Sequence, residues 1–247
     1  MNIIKNPNLP QKNVKLVLCD SRVEENIIRE INLLGCKVLL VPQCKELQNP
    51  VNAHPDMNFL HYSTMMFYVS KSLYNSECFE ELKHNCEIFN NKVNVINLFE
   101  RYPNDVLLNA CVIGDYVICN KETVEKSVVD SANKIIHVNQ GYTKCSIAPV
   151  SKESFITDDI GIYNATKDIF DVCLVRRGEI KLNGYNYGFI GGSCGKISKD
   201  TIAFYGDLNK FSDKEKIISF CKNYNTYCIS LSKTELYDYG SLIPLLE

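Results

Sequence analysis

The sequence predicts an α/β ring of five pseudosymmetric ββαβ units, closed by pairing of the C-terminal strand with a segment near the N-terminus. Three observations lead there. A cassette of short strand, second strand with a polar end, amphipathic helix and third apolar strand recurs along the chain. The two ends of the chain supply the two parts of one further copy. Paired short strands precede each helix, which a doubly wound βαβ sheet does not require.

Taken in chain order, "VKLVLCDSRVEENIIREINLLGCKVLLVP" reads as second strand, helix and third strand, with no first strand before it. The next unit runs from "HPDMNFLHY" through "TMMFYVSKS" and the helix "ECFEELKHNCEIF" to "VNVINLF". In "LNACVIGDYVICNKETVEKSVVDSANKIIHVN", Gly114 and Asp115 turn between two strands and "CNKETVEK" opens the helix. The unit "TKCSIAPVSKESFITDDIGIYNATKDIFDVCLV" has Thr157, Asp158 or Asp159 to cap its helix, and "VRRGEIKLNG" after it reads as a hairpin. The clearest copy is "GGSCGKISKDTIAFYGDLNKFSDKEKIISFCKNYNTYCISLS". "YDYGSLIPLL" then resembles a first strand with nothing after it. Laid beside the N-terminal strand it completes a fifth unit and removes two open sheet edges. Residues 1–247 are expected to form a single domain.

Composition narrows the partners. With 27 basic and 29 acidic residues interspersed and a net charge of −2, no basic face favours nucleic acid or anionic lipid. The first residues lack the apolar core of a signal peptide, and no run approaches the ~18 apolar residues that span a bilayer. A cytoplasmic protein without membrane contact is expected. None of the twelve cysteines forms a C-x-x-C pair, so neither a zinc site nor a disulfide framework is expected. Most read as small buried hydrophobes. Cys145 and Cys194 differ, because their neighbours are polar or glycine.

"GGSCGK" invites comparison with a phosphate-binding loop. That motif needs glycine where Ile190 stands and Ser or Thr where Ile197 stands, and a helix must follow; here strands follow. No nucleotide cofactor, and no cofactor of any other kind, is expected.

The five-unit ring resembles the pentein fold of the guanidine-modifying enzymes, among them arginine and agmatine deiminases and dimethylarginine dimethylaminohydrolase. The resemblance spans nearly the whole chain as repeat architecture and is closest to an uncharacterised bacterial branch. "HPDM" (His54 to Met57) is similar to the H-x-D motif that carries the catalytic histidine of that superfamily. "GGSC" (Gly191 to Cys194) is similar to the glycine pair before its nucleophilic cysteine. The C-terminal strand, where those enzymes place the nucleophile, holds Leu242 and no cysteine, and the chain has no Trp.

The resemblance implies a cysteine-dependent hydrolase or transferase acting on a guanidine-type or related C–N small molecule in a central polar pocket. Breaking a guanidinium C–N bond takes a thiolate, an acid/base for the leaving amine, and carboxylates paired to the N–H groups. His54 is the candidate acid/base, and Cys145 and Cys194 compete as nucleophile. Cys194 has the glycine context, whereas Cys145 stands beside Lys144, whose ammonium would favour the thiolate. If first strands line the pore, Asp56, Asn109, Lys144 and Ser193 are its substrate-binding groups, joined by Asp238 and Ser241. The alternative is a non-catalytic pentein that binds a small ligand or a macromolecular partner.

Overall fold

The computed structural model describes residues 1–85 and 92–247, within which fifteen strands form five three-stranded sheets. The split unit places β1 (Leu16–Asp20) between β2 (Lys37–Val41) and β15 (Ile243–Leu246). The others are β3 (Phe59–Ser63), β4 (Met66–Ser70) and β5 (Lys92–Ile96); β6 (Cys111–Ile113), β7 (Tyr116–Cys119) and β8 (Lys134–His137); β9 (Ile147–Ser151), β10 (Ser154–Thr157) and β11 (Asp171–Leu174); and β12 (Cys194–Ser198), β13 (Thr201–Phe204) and β14 (Tyr227–Ser230). In every sheet the central strand pairs antiparallel with the first and parallel with the third.

That pattern follows from the connections. A tight turn suffices for the antiparallel step, whereas a parallel neighbour needs a crossover. Among the described residues the helices are α1 (Glu25–Leu33), α2 (Pro55–Asn58), α3 (Lys71–Tyr74), α4 (Glu77–Asn85), α5 (Lys126–Asp130), α6 (Ile160–Thr166) and α7 (Lys214–Asn223). In α1, α6 and α7 the buried residues stand one turn apart: Ile27 and Ile31, Ile162 and Thr166, Ile217 and Cys221. Asp159 is the cap of α6, its carboxylate accepting from the Ile162 N–H at 3.0 Å. The helix expected from Glu77 is seen to Asn85, and the rest of "CEIF" lies outside the described residues.

Two local expectations are corrected. "CNKETVEK" is mostly a turn, because Asn120 holds the Glu122 N–H at 3.0 Å and its carbonyl takes the Thr123 N–H; α5 starts only after Glu125. "VRRGEIKLNG" forms no hairpin. It is a loop tied down by an isolated bridge between Lys181 and Tyr237, in which Lys181 N–H donates to Leu236 O and Asp238 N–H to Lys181 O, each at 2.9 Å.

Closure at the termini is built as the split copy requires. β15 pairs antiparallel with β1, with Val17 opposite Pro244 and Leu18 opposite Ile243. Ile3 adds a bridge to Leu246, and Ile4 N–H donates to Leu245 O at 3.0 Å. Leu242, Ile243, Leu245 and Leu246 are all buried, in the apolar layers between neighbouring sheets. Among the described residues, no helix is long and apolar enough to cross a membrane.

The glycines of "GGSCG" answer to crowding near the ring axis. A Cβ on Gly195 would stand 1.9 Å from Leu242 O, and one on Gly191 2.3 Å from Ile147 O. Gly192 passes so close to Asp238 that a Cβ would lie 2.0 Å from its Oδ1. Backbone bonds fix these approaches: Gly192 N–H donates to Cys145 O at 2.8 Å and Leu242 N–H to Cys194 O at 3.1 Å. The segment is where three units meet, and side chains are excluded there.

Candidate functional site

The polar residues converge, but from the segments that lead into the first strands rather than from the strands. Asp56 precedes β3, Asn109 precedes β6, Lys144 and Cys145 precede β9, Ser193 precedes β12, and Asp238 and Ser241 precede β15. All are buried. Each unit thus contributes at least one buried polar residue from the segment that leads into its first strand.

A hydrogen-bond network joins Asp56, Asn109, Lys144, Cys145 and Ser241. Asn109 Oδ1 accepts from the backbone N–H of Lys144 at 2.7 Å and of Cys145 at 3.2 Å. Its Nδ2 donates to Asp56 O and to Cys145 Sγ, each at 3.1 Å. Lys144 Nζ donates to Ser241 Oγ at 2.9 Å, and that hydroxyl lies 2.7 Å from Asp56 Oδ2 and 2.8 Å from Gly191 O. Ser241 meets both partners from a left-handed backbone conformation, with φ at 68°.

His54 stands at the mouth of this cluster. It is extended before Pro55 and 2% exposed, with Nδ1 3.8 Å from Asp238 Oδ1 and Nε2 3.9 Å from Asp20 Oδ2. Those separations are longer than hydrogen bonds, and Nδ1 is without a partner. Gly240, at φ 74°, makes room for the ring, since a Cβ there would lie 2.1 Å from His54 Cβ.

His54 lines two cavities. One, of about 250 Å³, is bounded by Cys145, Asp238, Val51, Tyr142, Tyr187 and Phe189. The other, a polar cleft of about 560 Å³, is bounded by Asp20, Arg22, Glu24, Asn49, Tyr237 and Tyr239. His54 and Leu182 line both. The aromatic wall comes from the loop at 175–189, with Tyr142 stacked on Phe189 at 6.1 Å and Tyr187 edge-on to it.

The competing cysteines are separated by this arrangement. Cys145 shares the smaller cavity with His54. Cys194 faces the apolar layer formed with Ile190, Ile202 and Phe204, and its thiol donates to Ile190 O at 3.3 Å. Ser193 Oγ donates to the same carbonyl at 2.9 Å and lines neither cavity at His54.

Electrostatically the site is short of positive charge. Asp20 is neutralised by Arg22, whose Nε donates to Oδ1 at 2.9 Å and whose Nη2 meets Oδ2. Asp56 faces Lys144 through Ser241, with its Oδ1 left unpartnered; burial raises its pKa against the pull of Lys144. Among the described residues Asp238 has no Lys or Arg partner. It accepts only the Phe189 N–H at 2.8 Å and the Gly240 N–H at 2.9 Å. Burial, together with the nearby Asp56, pushes its pKa up to about 8. Burial, reinforced by Arg22, brings His54 down to about 3. Burial and the charges of Asp56 and Asp238 raise the Cys145 thiol well above its usual range, and burial lifts Cys194 to about 12.

Sequence reasoning missed Asp20, Arg22 and the aromatic wall. An acid that ends the apolar strand "LVLCD", with an arginine two residues on, was the available signal for the first two. Among the described residues no cluster of His, Cys, Asp and Glu has the arrangement of a metal site.

Solved structures share this architecture over nearly the full chain. The inosamine-phosphate amidinotransferase of Streptomyces griseus matches at a TM-score of 0.60 and 10% identity, covering 100% of this chain and 98% of its own. An amidinotransferase of saxitoxin biosynthesis from Microseira wollei matches at 0.55 and 11%, covering 92% and 91%. Agmatine deiminase from C. jejuni, with substrate bound, matches at 0.54 and 11%, covering 95% and 94%. No curated protein sequence matches the chain. At such identities the likeness speaks to fold, and the fold is the five-bladed pentein fold of the guanidine-modifying enzymes. Residues 18–243 match the profile of a family of unknown function (DUF6873), and the chain belongs to that family.

Proposed function

We propose that this protein is a cysteine-dependent hydrolase or transferase of a guanidine-type small molecule, with Cys145 as nucleophile and His54 as acid/base. The observation that carries this reading is the single small cavity lined by Cys145, His54 and the cation-poor Asp238. Residues 1–247 act as one domain in this reading. The free thiols among the described residues suit the reducing cytoplasm.

Without a ligand, the thiol and the imidazole are both neutral. A guanidinium entering beside Asp238 supplies the missing positive charge and favours loss of the Asp238 proton. The resulting carboxylate, 3.8 Å from Nδ1, stabilises His54 as it accepts the thiol proton. The thiolate adds to the guanidinium carbon, forming an Sγ–C bond. The C–N bond then breaks as His54 returns its proton to the departing amine, leaving an amidinium on sulfur. Water or an acceptor amine attacks that carbon and gives a proton to His54. The Sγ–C bond breaks, the proton returns to the thiol, and a ureido product (from water) or a new guanidine (from the amine) departs. Asn109 and Asp56 orient Cys145, and Lys144 and Ser241 keep Asp56 in place.

The charge argument has a calorimetric test. Asp238 is largely protonated below pH 8, so methylguanidinium binding at pH 7 is expected to release about one proton. Affinity should then rise by up to ~10-fold per pH unit and level off above pH 8. Titrations in two buffers of different ionisation enthalpy measure the release, and Asp238→Asn should remove it. Absence of methylguanidinium binding, or binding with no proton released, would refute the reading.

A further inference from the structure

We infer that the ligand at Cys145 is a guanidinium carrying one flat, uncharged ring, an aryl or arylmethyl group on nitrogen, held against the aromatic wall of that same cavity. The inference rests on the function proposed above and names the substrate class of that site.

The lining of the cavity carries it. Apart from Cys145, His54 and Asp238, it is bounded chiefly by the rings of Tyr142, Tyr185, Tyr187 and Phe189 and by Val51 and Leu182. Tyr185 is 51% exposed, so the cavity reaches solvent on that side. Its one carboxyl is Asp238, and no Lys or Arg lines it among the described residues. A carboxylate on the ligand would be buried there without a cation, and an ammonium would have to share Asp238 with the guanidinium. An uncharged group meets neither cost. At about 250 Å³ the cavity is smaller than the ~300–1,000 Å³ of sites for drug-sized molecules, which suits a guanidinium with a single ring.

The wall is held in place by polar groups outside the cavity. Tyr142 and Phe189 lie 22° from parallel with centroids 6.1 Å apart, and Tyr102 stacks on Tyr142 at 6.3 Å. The Tyr142 hydroxyl donates to Asp105 Oδ2 at 2.6 Å, and its backbone N–H donates to Gln140 Oε1 at 3.1 Å. Gln140 Nε2 and Arg177 Nη2 both donate to Asp159 Oδ2, at 3.0 and 2.9 Å. Arg177 in turn covers the rings of Tyr187 and Phe189, 5.4 and 5.6 Å from their centroids, without lining the cavity. Phe189 also donates its N–H to Asp238 Oδ2 at 2.8 Å, which ties the ring that meets the substituent to the carboxyl that meets the guanidinium. Rings fixed in advance lose little freedom on binding, and they favour an aromatic partner, offset or edge-on, beyond its area alone.

The test is calorimetry on the full chain with five ligands: methylguanidinium, benzylguanidinium, cyclohexylmethylguanidinium, 4-aminobutylguanidinium and 4-guanidinobutyrate. Benzylguanidinium is expected to bind at least about tenfold more tightly than methylguanidinium, and several-fold more tightly than its saturated counterpart. Both charged chains should bind more weakly than benzylguanidinium. Phe189→Leu, which keeps an apolar side chain but removes the ring, should lower the ratio of benzyl to methyl affinity by several-fold. Equal or tighter binding of the cyclohexyl compound or of either charged chain overturns the inference, as does a benzyl preference untouched by Phe189→Leu. Methylguanidinium separates the two claims: its failure to bind sinks the proposed function, whereas its binding without any gain from the benzyl group sinks this inference alone.

Discussion

Removal of residues 238–247 is expected to unfold the protein. The cut deletes β15 and with it Leu242, Ile243, Leu245 and Leu246, each at most 3% exposed. At about 1.5–3 kcal/mol for each buried aliphatic side chain, some 6–12 kcal/mol of burial is lost, comparable with the whole stability of an ordinary domain. The loss is aggravated at both ends: β1 becomes an open edge, and Ile3 and Ile4 lose their partners on β15. Thermal and urea unfolding followed by circular dichroism should show no cooperative transition. The milder Leu245→Ala should retain one, lowered by about 2–5 kcal/mol. A wild-type midpoint in the truncated chain would mean that closure does not hold the ring together.

Substitution of the two candidate cysteines should separate chemistry from packing. Cys145→Ser keeps the shape of the cavity but replaces a thiol with a far weaker nucleophile. Loss of at least ~1,000-fold in amine release from methylguanidinium is expected, with little change in unfolding midpoint. Cys194→Ala removes a sulfur packed among Ile190, Ile202 and Phe204, so about 1–3 kcal/mol of stability should go while turnover remains. Amine release measured beside denaturant unfolding reads both effects. The reverse pattern, with activity lost at Cys194 and kept at Cys145, would exchange their roles.

The ring was legible because each unit repeats the same periodicities, and the split copy declared itself by what each terminus lacks. The central cluster was legible for a related reason: polar residues recur at equivalent places near the start of each unit. What sequence could not settle is which way a buried side chain turns. Cys194 begins a strand, with φ −157° and ψ 174°, and faces an apolar layer; Cys145 sits in the turn before β9 and faces the cavity. The glycines around Cys194 resembled the pair before a nucleophilic cysteine. They instead make room for Asp238, Leu242 O and Ile147 O. Asp20 was hidden as the last residue of an apolar strand, and its meaning depends on Arg22, Asn49 and Pro50 folding over it. The aromatic wall follows directly after the segment read as a hairpin, and the stacking of Phe189 on Tyr142 that forms it joins residues far apart in the chain.

The central claim is that Cys145 reacts when a guanidinium-like cation reaches it. Alkylation by chloroacetamidine, whose amidinium head carries that charge, can be compared with alkylation by neutral chloroacetamide and mapped by peptide mass spectrometry. The account predicts that the amidinium reagent modifies Cys145 first and about stoichiometrically. It should do so at least ~100-fold faster than the neutral reagent, and His54→Ala should slow the reaction. Equal rates for the two reagents, or modification of Cys194 or another cysteine ahead of Cys145, would contradict it and leave a pentein that binds without cutting.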